Sequence, residues 1–226
     1  VFEDIPQCFK QSVDIESLLT TSFELLSNLN RSEKLKHLLL VADEIPNFHT
    51  FINLKQLILF DFEEELKPDI FSQTNRLELL VISAYKWKQP SLPENIFGNL
   101  LHLKLLAFFD SEIEKLPKSL FNLKKLQTFY LNSEGIELSS EIQNLPHLEN
   151  LILRDVSEIQ NIQNIYQCHN LKRLSLHKCN IELISKEITN LEDLKYFDIS
   201  DNDIEELIDE INELKHLKTI NINDNS

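Results

Sequence analysis

The sequence predicts an α/β solenoid, in which each turn supplies one short strand and one short helical segment and the strands stack into a parallel sheet. Three observations predict it. A pattern close to L-x-x-L-x-L-x-x-N-x-I-x-x-L-P-x-x-I-x-x-L recurs along the chain, opening at Leu35, Leu54, Leu77, Leu103, Leu126, Leu148, Leu171, Leu194 and Leu217, with spacings of 19, 23, 26, 23, 22, 23, 23 and 23 residues. A fixed period in the range of roughly 20–50 residues is the mark of a repeat architecture. Places 1, 4 and 6 of each turn are apolar, as in Leu103/Leu106/Phe108, Leu171/Leu174/Leu176 and Leu194/Phe197/Ile199, and places 4 and 6 alternate as a strand with one buried face does. Further along the turn, Ile113, Leu116, Leu120 and Leu123 follow a helix-like period. A single turn cannot bury those edges, whereas stacked turns make one continuous core.

Taken in order, residues 1–34 precede the first repeat. The run DIESLLTTSFELLSNL places Ile15, Leu18, Leu19, Phe23, Leu25, Leu26 and Leu29 at spacings that suit an amphipathic helix. Solenoid ends need a cover, so this segment is expected to cap the first repeat, with an independent binding helix as the other reading. Residues 35–226 form about eight full repeats and a partial last one. The 26-residue repeat from Leu77 carries its extra length in Ala84-Tyr85-Lys86-Trp87-Lys88-Gln89-Pro90, directly after the strand. Repeat insertions map to loops at one edge, often beside a binding face, and Trp87 is the chain's one tryptophan, a residue type enriched in interface hot spots. A ring folded back over the longer turn is the alternative for Trp87. The last run, TININD, stops just after a strand with no visible cap, and the chain begins at Val1 without a Met, which reads as a segment of something longer.

The turn LKYFDISDNDIEELIDEINELKHL, Leu194 to Leu217, carries the pattern most fully, with Asn202 at place 9. It resembles the leucine-rich repeat family, and the resemblance covers about residues 35–226. It implies a horseshoe with the parallel sheet on its concave face and short helical or 3-10 segments on its convex face. It also implies that Asn at place 9 satisfies backbone groups of the turn after the strand. Asn202 and Asn225 match, and Cys179 stands at that place in the neighbouring repeat; Ser111, Asp43, Glu134, Val156, Phe62 and Tyr85 occupy it elsewhere, so less regular turns are expected towards the N-terminus.

Composition excludes several classes. No apolar run approaches the roughly 18–20 residues of a membrane span. Only Gly98 and Gly135 are glycines, so no Gly-rich phosphate loop is available. A net charge of −15 disfavours nucleic acid, whose binding draws on Lys and Arg, although Arg154, Arg173, His177 and Lys178 lie on adjacent turns. Cys8, Cys168 and Cys179 are an odd count without framework or CxxC spacing, which leans towards a reducing, cytoplasmic compartment and leaves a surface or secreted location open. His102, His147, His169 and His216 recur near the leucine that opens a repeat and form no ligand set. The acidic runs at Asp61 to Glu65 and Asp201 to Glu206 lack the glycine and twelfth-place Glu of a calcium loop. No metal, cofactor or catalytic residue is assigned, and the expectation is a protein that is not an enzyme.

The chemistry lies on the outward face of the strands. With places 4 and 6 pointing into the core, places 3, 5 and 7 point out of the sheet. Place 5 reads Leu39, Ile58, Val81, Ala107, Tyr130, Ile152, Ser175, Asp198 and Asn221; place 7 includes Val41, Phe60, Phe109, Arg154, His177, Ser200 and Asn223; place 3 includes Leu79, Leu105, Arg173 and Tyr196. The face is thus apolar over the first four to six repeats and polar over the last three, where Ser200 and Asn223 should tolerate Asp. An apolar area of that extent is uncommon on a monomer and marks a partner site. The candidate contact residues are Leu39, Val41, Ile58, Phe60, Leu79, Val81, Leu105, Phe109, Tyr130, Ile152 and Trp87. Cover by residues 1–34 or by a missing domain, and misregistered repeats, are the alternatives. The expected function is recognition of a protein or peptide, with a homo-oligomer through the same face among the possibilities. A regulatory or targeting domain of a larger kinase, GTPase or ligase, and a self-assembling surface protein, are the other readings.

Overall fold

The computed structural model describes residues 16–21, 34–46, 48–83 and 89–226. The leucine spacing translates directly into strands: β1 (Ser17–Thr20), β2 (His37–Val41), β3 (Gln56–Phe60), β4 (Leu79–Ser83), β5 (Leu105–Ser111) and β6 (Thr128–Ser133) are followed by β7 (Gly135–Glu137), β8 (Asn150–Arg154), β9 (Glu158–Gln160), β10 (Arg173–His177), β11 (Tyr196–Asp198) and β12 (Thr219–Asn221). Ten of them form one sheet in the order β1-β2-β3-β4-β5-β6-β8-β10-β11-β12, and every neighbouring pair is parallel. Each strand therefore pairs with the strand of the next turn, and the return path of the chain crosses behind the sheet. A second sheet of two strands, β7 and β9, lies along that return path.

The register follows the repeat. Leu39, Ile58, Val81, Ala107, Tyr130, Ile152, Ser175, Asp198 and Asn221 are successive partners across the sheet. The carbonyl at place 2 begins each rung. Lys36 O accepts from the amides of both Lys55 and Gln56, and Lys104, Gln127, Glu149, Lys172 and Lys195 each do the same for the following turn. Behind the sheet, places 1, 4 and 6 and the return path fill a single core from Leu35 to Leu214, with eight large aromatic side chains fully enclosed, Phe48, Phe62, Phe71, Phe97, Phe108, Phe129, Tyr166 and Phe197.

Three expectations change. Ser17–Thr20, placed in an amphipathic helix by its apolar spacing, is instead the first strand, running parallel to β2 with Leu19 opposite Leu39. Four residues satisfy either period, and the open edge of β2 decided the matter by offering backbone partners: the carbonyl of Glu16 accepts from the amides of Lys36 and His37. The rest of the N-terminal helix reading falls outside the described residues. The stretch through Ile113, Leu116, Leu120 and Leu123 is extended up to Pro117 and makes one 3-10 turn at Lys118–Asn122. All four side chains are buried as expected. The return path must span the depth of the core in few residues, and a 3-10 turn rises about 2.0 Å per residue against 1.5 Å for an α-helix. Comparable turns stand at Ser140–Asn144, Ile162–Gln167, Lys186–Asn190 and Asp209–Glu213. Finally, β5 carries an irregularity between Phe108 and Ser111, after which Ser111 pairs with Ser133. The place-9 role thus passes from Glu134, which is exposed, to Ser133, which is buried and donates its hydroxyl to Ile113 O at 2.9 Å.

Place 9 works as its chemistry requires at the C-terminal end. Asn202 Oδ1 accepts from the amides of Cys179 (2.9 Å) and Ile181 (3.0 Å), and its Nδ2 donates towards Leu176 O, Ile199 O and Ser200 O at 2.7, 2.9 and 3.1 Å. Asn225 repeats the arrangement one turn on, accepting from Ile204 N at 3.1 Å.

Candidate partner-binding face

The ten candidate residues within the described regions, Leu39, Val41, Ile58, Phe60, Leu79, Val81, Leu105, Phe109, Tyr130 and Ile152, are all half-buried and stand on the sheet face opposite the core. Half burial is what a packed but uncovered sheet gives: each side chain shields its neighbours in the ladder, about 4.8 Å away, and leaves its tip to solvent. Phe109 lies on Tyr130 with ring centroids 4.3 Å apart and planes 30° from parallel, close to an offset stack. Burial raises the Tyr130 hydroxyl pKa above its ordinary value, with Asp155 and Asp110 adding to the rise and Arg154 opposing it. Ala107, in the middle of the ladder, is buried. Trp87 and residues 84–88 lie outside the described residues.

Leu19 was missed by the sequence reading and belongs to the same face. It is 46% exposed and opposite Leu39, so it extends the apolar ladder by one strand. The available signal was Leu18 lying 20 residues before Leu38, one repeat length.

A second missed feature edges this face. Place 8, at or shortly beyond the C-terminal end of the strand, has positive φ at Asp61, Asp110, Asp155, Lys178, Asp201 and Asp224, with angles of 51–59°. Asp and Asn are the non-glycine residues that enter the left-handed region most readily, and in a chain with two glycines they take that role. All five aspartates are exposed. Asp recurs at five of the nine place-8 positions in the sequence, a column that could have been read. Lys178 Nζ sits 2.6 Å from Asp155 Oδ1. That pairing removes one charge from the Arg154, Arg173, His177 and Lys178 group.

At the polar end, Ser175, His177, Asp198, Ser200 and Asn221 form one hydrogen-bonded network. Ser200 Oγ donates to Asp198 Oδ1 at 2.6 Å and faces His177 Nδ1 at 2.9 Å; Asp198 also takes Ser175 Oγ at 3.1 Å and Asn221 Nδ2 at 3.1 Å. Partial burial would raise the Asp198 pKa, but the hydroxyl and amide of Ser200 and the hydroxyl of Ser175 outweigh it and hold the carboxyl below its ordinary value. A nucleophilic serine would need its proton directed at the imidazole. Here the carboxylate takes that proton and His177 Nδ1 must be the donor, so the trio orders the sheet. Ser200 is buried, which corrects the expectation that it tolerates Asp; a second carboxylate would face Asp198. Beside it, the Arg173 guanidinium lies 4.3 Å over the Tyr196 ring.

Elsewhere the side chains have structural occupations. His102 Nδ1 and His169 Nδ1 contact the turn carbonyls of Asn75 and Asn190 at 3.1 and 3.0 Å. Cys168 and Cys179 are buried free thiols, and burial pushes both pKa values up to about 12. Among the described residues, no group of three His, Cys, Asp or Glu could hold a metal ion, and no helix is long and apolar enough to cross a membrane.

No family model matches the chain. Among curated proteins it is similar to two from Arabidopsis thaliana: the putative disease resistance RPP13-like protein 2, 30% identical over 110 residues, covering 48% of this chain and 12% of that protein, and disease resistance protein RPP8, 25% identical over 179 residues, covering 63% and 19%. The chain thus spans at most about a fifth of the length of either. Among solved structures it is similar to the LRR protein LIC12759 of Leptospira interrogans, with a TM-score of 0.79 and 26% identity over 92% of this chain and 53% of that one. An internalin of Listeria monocytogenes, InlF, matches in fold with a TM-score of 0.66 and 19% identity, over 91% of this chain and 65% of that one. These similarities indicate no catalytic family.

Proposed function

The chain is a leucine-rich repeat protein, and on that premise we propose that it recognises a protein or peptide partner across the concave face of its sheet, centred on β3 to β6. Proteins of this family commonly mediate protein interactions, and one structural neighbour is Toll in complex with Spatzle. The observation that carries the reading is the in-register apolar surface of Leu39, Ile58, Val81, Tyr130 and Ile152, flanked by Phe60 and Phe109. Aromatic anchors within a patch of apolar side chains are the usual carriers of interface energy.

The test is a selection of peptides from a displayed random library on the wild-type chain, followed by binding to Phe60→Asp/Phe109→Asp. The expected result is an unchanged circular dichroism spectrum and loss of most of the selected binders. Binders that hold equally well to the folded double variant would show that the face is not the site. Unfolding of the double variant would place those rings in the core and end the assignment.

The alternative is that the same face serves as the regulatory or targeting part of a larger protein. The small share of the resistance proteins that this chain spans favours keeping it.

A further inference from the structure

The edge of the apolar face narrows the partner's chemistry, an inference that rests on the concave-face reading above. Asp61 and Asp110 directly follow Phe60, the last residue of β3, and Phe109, which occupies the same place in β5. Both are exposed, both hold φ in the left-handed region, and neither has a salt-bridge partner among the described residues. Asp155, further along the column, is already neutralised by Lys178. Opposite charge is present at the other end of the strands, where place 2 carries Lys36, Lys55, Lys104 and Lys172 along the apolar stretch, four cations set within 4.0 Å of three carboxylates, Glu16, Glu78 and Glu149, with Lys55 and Lys104 sharing Glu78. Among the described residues, the unpaired charge beside Phe60 and Phe109 is therefore acidic, while the opposite edge keeps a lysine in excess.

We propose that the concave face takes a basic amphipathic segment, one whose apolar side chains meet Phe60, Phe109 and the place-5 ladder and whose Lys or Arg side chains meet Asp61 and Asp110. The spacing sets a further requirement. Strands β3 and β5 are separated by β4, so the two carboxylates stand about two strand spacings, roughly 10 Å, apart along the solenoid. A segment running along the face meets both with basic residues at i and i+3 if it is a polyproline II helix, which repeats every three residues at about 3.1 Å each, or at i and i+7 if it is α-helical at about 1.5 Å each. The unequal edges also fix the direction in which the segment lies, because reversing it end for end with its apolar side kept on the sheet carries its cations to the lysine edge.

Two substitutions leave the backbone intact while removing the charge, since Asn enters the left-handed region as readily as Asp. The probes are fluorescein-labelled amphipathic peptides of about 14 residues, two heptads, built from Leu and Lys, with a Leu/Glu peptide of the same pattern and a Ser/Lys peptide as controls. Anisotropy titrations should show Leu/Lys binding and the two controls weaker by about tenfold or more. Asp61→Asn/Asp110→Asn should weaken the Leu/Lys peptide by about tenfold, two screened charge contacts at the upper end of their usual worth. Glu192→Gln/Asp193→Asn, an equal charge change at an exposed turn on the opposite edge, should leave it nearly unchanged. A Leu/Glu peptide that binds as well, or two variant pairs that weaken binding equally, would overturn the basic-partner inference while a dependence on Phe60 and Phe109 keeps the concave face. If Phe60→Asp/Phe109→Asp binds the Leu/Lys peptide undiminished, the face itself falls and the inference with it.

Discussion

Replacing Asn202 with Ala removes a side chain that bonds the backbone of the preceding turn and of its own. Its Oδ1 is the partner of the Cys179 and Ile181 amides, at 2.9 and 3.0 Å, and Asn202 itself is buried. Alanine removes the acceptor of both buried donors. Each orphaned buried donor costs roughly 1–3 kcal/mol, so the pair costs about 2–6 kcal/mol. The carbonyls add less, since Ile199 O keeps the 2.9 Å bond from Asn225 Nδ2. That cost is a large part of a typical domain's stability of about 5–15 kcal/mol. The assay is urea unfolding followed by circular dichroism, together with hydrogen exchange at the two amides. Because repeats interact mainly with their neighbours, the loss should centre on β10 and β11 and can split the transition. Asn225→Ala, which frees one amide near the chain end, should cost about half as much or less. A destabilisation below about 1 kcal/mol, or unchanged protection of the Cys179 and Ile181 amides, would refute the place-9 reasoning.

Leu174→Ala empties a fully buried position in β10 and should cost about 2–5 kcal/mol in the same assay; an unchanged midpoint would contradict the register. With thiol pKa values pushed up to about 12, Cys168 and Cys179 carry roughly one thiolate in ten thousand at pH 8. In a Cys8→Ser background an aromatic disulfide reagent should therefore label the native chain far more slowly than the urea-unfolded chain, and equal rates would show that the two sites open freely. Asp198 has its folded pKa below the unfolded value, so its contribution is fully present above the unfolded aspartate range near about 3.9 and fades as pH falls through the folded value. The stability gap between wild type and Asp198→Asn should therefore be constant at neutral pH and shrink on acidification, and a gap that widens there would reverse the assignment.

Much of the architecture was legible because it is periodic. The leucines at places 1, 4 and 6 set which face of each strand is buried, and a parallel stack leaves one register that keeps all of them inside. The outward columns followed from alternation alone, from Leu39 to Asn221. What the sequence left open depends on a neighbouring turn about 23 residues away. Ser17–Thr20 has too few residues for its period to distinguish helix from strand, and it became a strand where β2 offered it an edge. The irregularity in β5 moved the place-9 duty from Glu134 to Ser133, a one-residue shift that only pairing with the adjacent strand could reveal. Ser200 reads as an outward polar residue, yet its hydroxyl is enclosed between His177 and Asp198. Asp61 and Asp155 occupy the same place in the repeat, and Lys178 of the next turn pairs with Asp155. Sequence periodicity determined which side chains face the core, because burial depends on position within a turn; tertiary structure decided their partners and charge, because those depend on which residue the next turn sets beside them.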